Sequence, residues 1–284
     1  MNSPNLFIVG MPRSGTTSLY SYLKQHPEVY LSILKEPHFF SPDLTYVPVF
    51  TNEEKEYRSL FSGVCKEKII GEASVWYLTS KVSAEKIKTY SANAKIIIML
   101  RNPADMLFSL YNLYLRTGNE DCLSFEDAWN KSHLRKNGTS LPDNVYFPEG
   151  LVYNDIGFYY DKIKRYQKIF GKKNIKIVVF EKFINDTNNE MNAIMNFLEI
   201  NSKVLLEYDL DKVNRIIAHK CMIQLRNSTA EIRQKVKQKN GKIHLGTKRQ
   251  IFLKATRLKI LDYFKQDILK TSRLIDIDLG LWLK

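Results

Sequence analysis

Three short runs of this chain are apolar at almost every position: Leu6 to Val9 (LFIV), Lys95 to Leu100 (KIIIML) and Ile175 to Phe180 (IKIVVF). A strand with one wet face alternates apolar and polar residues, whereas a strand buried on both faces in a parallel sheet is apolar throughout. Between the runs lie segments with helical spacing. Leu19, Tyr22 and Leu23 follow the first run, and Met106, Leu107, Leu110 and Leu113 follow the second, after a helix start at Asn102-Pro103. The amphipathic stretch Tyr159 to Phe170 precedes the third run, and a helix around Met191 to Leu198 follows it. Strands alternating with helices predict an α/β fold in which a central parallel sheet is flanked by helices in three layers. Ile69 to Gly71 adds a shorter strand, and Ser80 is placed to cap a helix running to about Tyr90. A last helical pattern at Ile260, Leu261, Phe264, Ile268 and Leu269 is spaced to pack back on the body before Trp282 closes the chain.

With 284 residues, 44% of them hydrophobic, the chain can bury one substantial core, and no Pro/Gly/Ser-rich linker divides it. The expectation is a single domain over 1–284, with a core over about 4–200 and a C-terminal extension over about 201–284. The polar stretch Arg233 to Lys248 is its most mobile segment on composition. Cys65, Cys122 and Cys221 lack the spacing of a zinc site, a redox motif or a disulfide framework. No basic leader, cleavable apolar run or membrane-length stretch occurs, which sets cytoplasmic residence without a transmembrane segment as the expectation. The formal charge of +13 attracts anions at long range, although a Lys-rich composition alone produces the same number.

The chemistry concentrates in three places. Gly10-Met11-Pro12-Arg13-Ser14-Gly15-Thr16-Thr17 joins the first strand to the first helix, so that loop amides and the helix N-terminus converge on an anion. The glycine spacing is that of a nucleotide-binding P-loop and predicts a P-loop NTPase-like sandwich, yet Thr16 stands where kinases and NTPases carry a lysine. Arg13 supplies a cation instead, and the Thr17 hydroxyl a hydrogen bond. At the end of the second apolar strand, where an NTPase commonly places a metal-holding Asp, stands Arg101, with Ser109 roughly two helical turns further on. Arg101 serves either a solvated ion pair or a second phosphate. Two phosphate sites without a metal ligand suit a nucleotide phosphorylated at both 5′ and 3′ positions. The third place is Lys35-Glu36-Pro37-His38-Phe39-Phe40.

The blocks PRSGTTSL, LKEPHFF and IIIMLRNPADMLFSLY resemble those of the sulfotransferase superfamily, most closely its glycan-type and bacterial members; GEASVWYL and DYFKQDILKTSRLIDIDLGLWL extend the likeness over most of the chain. The resemblance implies 3′-phosphoadenosine 5′-phosphosulfate (PAPS) as donor, 3′-phosphoadenosine 5′-phosphate (PAP) as product, and no metal. It assigns Arg13, Ser14, Gly15, Thr16, Thr17 and Ser18 to the 5′-phosphosulfate, and Arg101 and Ser109 to the 3′-phosphate. It makes Glu36 the general base that activates an acceptor hydroxyl or amine, with His38 as the competing base. Lys35 either reaches the sulfuryl oxygens or pairs with a carboxylate, and the glycine-rich cofactor loop is sought at Asn240-Gly241-Lys242.

The same resemblance points to a carbohydrate or glycoconjugate as acceptor, and the lack of a basic recognition helix, finger spacing or RNA-binding aromatic signature sets no nucleic-acid partner as the expectation. This chain departs from the family at Ser18, where small-molecule members carry a tryptophan, and at Ala73, where glycan members often carry a lysine. Trp76, Tyr77, Tyr111 and Tyr114 either line a sugar cleft or belong to the core. Two other readings stay open on the residues alone: a small-molecule kinase using ATP and Mg²⁺, and a basic nucleic-acid-binding module, which the charge alone supports.

Overall fold

The computed structural model describes residues 3–45, 51–209 and 251–284, so Cys221 and the stretch Arg233 to Lys248 lie outside the described residues. Five parallel strands, β1 (Leu6–Ile8), β2 (Val29–Leu31), β3 (Ile69–Ala73), β4 (Lys95–Leu100) and β5 (Ile175–Val179), form one sheet in the order β2-β3-β1-β4-β5. Leu6 pairs with Gly71 on one side and Lys95 on the other, so β1 is the central strand. The chain divides into two compact units. One draws on Met1–Pro42, Val49–Leu100 and Gln167–Asn240, the other on Asp43–Pro48, Arg101–Tyr166 and Gly241–Lys284.

The first unit holds the sheet, and the pleat sorts its side chains. Leu6 and Ile8 join a buried cluster with Leu19 and Leu23 of α1 (Thr16–Leu23), Phe183 of α2 and Met191, Ile194 and Leu198 of α3, where α2 spans Phe180–Asn185 and α3 Thr187–Leu198. Phe7, between them, points to the opposite face and meets Phe40 edge to face at 5.7 Å. Phe40 in turn packs on Tyr57 and Tyr90, which lie in the helices Glu54–Ser59 and Ser83–Tyr90. Both faces are therefore covered, as the continuous apolar strands predict.

Some boundaries differ from the expectation. The last strand stops at Val179, because Phe180 already opens a helix. Ser80 does not cap the following helix directly: that helix starts at Ser83, while the Ser80 hydroxyl accepts the N–H groups of Val82 (3.3 Å) and Ser83 (3.0 Å) in the turn before it. The short strand at Ile69 extends to Ala73. β2 and the helix Glu54–Ser59 carry no periodicity long enough to register in the sequence.

In the second unit the helix Pro103–Thr117 begins as its sequence predicts. The Asn102 side chain accepts from the N–H groups of Ala104 (3.0 Å) and Asp105 (3.4 Å), Pro103 opens the helix, and Gly118 at φ 77° ends it. The C-terminal helix Lys254–Ile275 buries Ile260, Leu261, Phe264 and Ile268, and Trp282 is buried beyond it. Its Asp267 accepts the N–H groups of Tyr159 (2.7 Å) and Tyr160 (3.2 Å), capping the helix Tyr160–Phe170. Lys162 donates to the carbonyls of Asp155 (3.1 Å) and Ile156 (2.7 Å). Burial lowers its ammonium to about 7, against the pull of the Asp267 carboxylate.

Candidate active site

The loop after β1 is shaped by two close approaches. A Cβ on Gly10 would lie 2.1 Å from the Met99 backbone nitrogen, and only glycine lets β1 run on beside β4, where Val9 and Met11 donate to the carbonyls of Ile97 (2.9 Å) and Met99 (2.8 Å). Gly15, at φ 85°, precedes α1, and a Cβ there would meet the Phe180 ring at 2.8 Å. Arg13 is also left-handed, at φ 58°. No side chain caps α1 and its first turn carries no acid, so its leading N–H groups keep their positive potential. Arg13 and Thr17 are exposed and Ser18 is half-buried. Thr16 is buried, and the buried Ser14 hydroxyl donates to the Pro12 carbonyl at 3.3 Å.

The strap 35–40 hangs from the end of β3, the neighbour of β1. The Glu36 N–H donates to the Ala73 carbonyl at 2.8 Å, and the Ser74 N–H to the Ile8 carbonyl at 3.0 Å. Lys35 Nζ bonds Glu36 Oε1 at 2.5 Å, and His38 Nε2 stands 3.6 Å from Oε2. Burial alone would raise the Glu36 carboxyl, but the Lys35 charge and the His38 contact outweigh it and hold the group far below the ordinary carboxylate range. His38 is buried and meets the Tyr77 ring edge-on at 6.2 Å. The ion pair and the histidine contact both converge on one carboxylate.

Beneath the strap lies a carboxylate that its place in an apolar strand, IIGEA, should flag, since a buried charge must be paired. Glu72 is fully buried and accepts from Ser74 Oγ (2.6 Å), Tyr77 Oη (2.8 Å) and Tyr57 Oη (3.0 Å). Burial first, and then the Glu72 charge, hold both tyrosines well above their ordinary values.

In the second unit Arg101 and Ser109 are half-buried, and Tyr159 Oη donates to the Arg101 carbonyl at 2.9 Å. Asn102 Nδ2 donates to the Trp282 carbonyl at 3.0 Å. These supports gave no sequence signal. Trp76, Tyr77, Tyr111 and Tyr114 are all buried, which places them in the core and not on a sugar-binding surface. Lys242 lies outside the described residues. Among the described residues, no helix is long and apolar enough to cross a membrane.

A parallel α/β sheet with a glycine-bearing loop and an uncapped helix after its central strand is a frame able to present backbone N–H groups to an anion. The chain belongs to the sulfotransferase family: the sulfotransferase domain model matches residues 3–272. A sulfotransferase from Alicyclobacillus acidocaldarius is 27% identical, with a TM-score of 0.78 over 100% of both chains. Human carbohydrate sulfotransferase 15 is 25% identical over 249 residues, covering 69% of this chain and 44% of the relative. Mouse heparan sulfate glucosamine 3-O-sulfotransferase 3B1 is 26% identical over 195 residues, covering 69% and 46%. The chain thus spans less than half the length of these curated relatives. Mouse sulfotransferase SULT7A1 complexed with PAP shares the fold at 16% identity and a TM-score of 0.52, covering 97% of this chain and 88% of that one.

Proposed function

We propose that the protein transfers the sulfuryl group of PAPS to a hydroxyl or amine of a carbohydrate or glycoconjugate. The observation that carries this reading is the Lys35–Glu36–His38 cluster on the strap bound to β3, the neighbour of the strand that leads into the uncapped α1. Arg13, the loop amides, Thr16, Thr17 and Ser18 hold the 5′-phosphosulfate, and Arg101 and Ser109 hold the 3′-phosphate. The displacement is in line, as in phosphoryl transfer. Glu36 takes the acceptor proton as the acceptor–sulfur bond forms and the bond from sulfur to the 5′-phosphate oxygen breaks, releasing PAP.

A carboxylate held so far down is a weak base while Lys35 grips it. Lys35 moving to the sulfuryl oxygens would release Glu36 and raise its proton affinity as donor binds. The names of the curated relatives support a glycan acceptor. Transfer of labelled sulfate from PAPS, with chelator present, to desulfated heparan and chondroitin chains tests the proposal against phenols and peptides. Transfer to phenols alone would overturn the acceptor class, and loss of PAP binding with chelator would overturn the metal-free site.

A further inference from the structure

We propose that Glu72 is a positioning residue for this reaction, fixing through Ser74 and Tyr77 the strap that carries Glu36 and His38. The inference rests on the role given to Glu36 above. Three hydroxyls converge on the two Glu72 oxygens, and a carboxylate can only accept from them. Each hydroxyl must therefore spend its proton on Glu72 and turn its lone pairs outward. Two of them then accept from the strap: Ser74 Oγ from the His38 N–H at 3.2 Å, and Tyr77 Oη from the Phe40 N–H at 3.2 Å. One buried charge thus sets the polarity of two rails that hold the backbone at His38 and beyond it.

The strap needs such holding. Glu36 (φ 62°) and His38 (φ 56°) both occupy the left-handed region that costs a side-chain-bearing residue roughly 1 kcal/mol or more. Without the rails, that strain is free to relax, and relaxation moves the carboxylate and the imidazole apart.

Tyr57 supplies the control. It is as buried as Tyr77 and bonds the same Glu72 oxygen, but no strap N–H donates to it in either rail. Tyr57→Phe keeps the ring that stacks on Phe39 and removes only the hydroxyl. Tyr77→Phe is expected to lower kcat roughly 10- to 100-fold with PAP affinity unchanged, the size of loss that a small misplacement of a reacting group produces. Tyr57→Phe is expected to leave kcat near the parent value even where it lowers Tm.

A second readout needs no acceptor. The His38 ring signals in NMR, assigned by their loss in His38→Gln, should shift in Tyr77→Phe and stay in place in Tyr57→Phe. Equal effects of the two tyrosine changes, on kcat and on the His38 signals, would overturn the proposal. Should Tyr77→Phe fail to fold, Ser74→Ala cuts the other rail and carries the same expectation. A Glu36→Gln enzyme that stays active would overturn the base assignment alone, because the His38 comparison reports on positioning independently.

Discussion

His38 presents Nε2 to Glu36 at 3.6 Å, on the carboxylate oxygen that Lys35 does not grip. The imidazole and the ammonium thus share one carboxylate between them. Replacing Glu36 with Gln keeps shape and removes the proton acceptor. Turnover should fall by about 10²- to 10⁴-fold with PAP binding retained, measured as labelled transfer and by calorimetry. A dead His38→Ala beside an active Glu36→Gln would move the base to His38.

The same carboxyl has a stability signature. Its native value is depressed, so its contribution is fully present above the unfolded value of about 4.3 and drains away as pH falls from there toward the native value. Urea unfolding of parent and Glu36→Gln should show a constant difference between neutral pH and that point, then a shrinking one below it. A difference that grows on acidification would contradict the ion-paired carboxylate.

Arg101→Ala should weaken PAP far more than adenosine 5′-phosphosulfate, which lacks the 3′-phosphate. Equal losses in calorimetry would make the Arg101 side chain a support of the fold and not a reader of the phosphate.

Gly10→Ala should destabilise the protein by roughly 3 kcal/mol, the upper end for overpacking, because the new Cβ meets backbone that cannot swing aside. Thermal unfolding checks this, and a parent-like Tm would show that β1 and β4 can separate there.

Lys162 predicts a rise of stability in the alkaline range. Its native value of about 7 lies below the unfolded value of about 10.4, so between them the unfolded chain binds the extra proton and stability rises with pH. Lys162→Met should abolish that rise in unfolding measured from about pH 7 to 10.

The sheet was legible because buried parallel strands leave unbroken apolar runs, and the loop was legible because glycines mark close backbone approach. β2 was not, since three residues are too few for a period. The strap residues Lys35, Glu36 and His38 were found through family likeness, and their charge coupling needed coordinates. Glu72 was not, because the strand read from the sequence stops at Gly71, and the three hydroxyls that satisfy its carboxylate, from Tyr57, Ser74 and Tyr77, converge only once the chain is folded.

The left-handed backbone at Glu36 and His38 also bears on engineering. Glycine or asparagine relieves such strain at His38, whereas at Glu36 the relief is set against the lost ion pair with Lys35, so a screen for heat-resistant variants will enrich replacements at His38 first. On the roles proposed for the strap, survivors of that selection would be the molecules least able to turn over substrate, and a stabilisation campaign should hold both positions fixed from the outset.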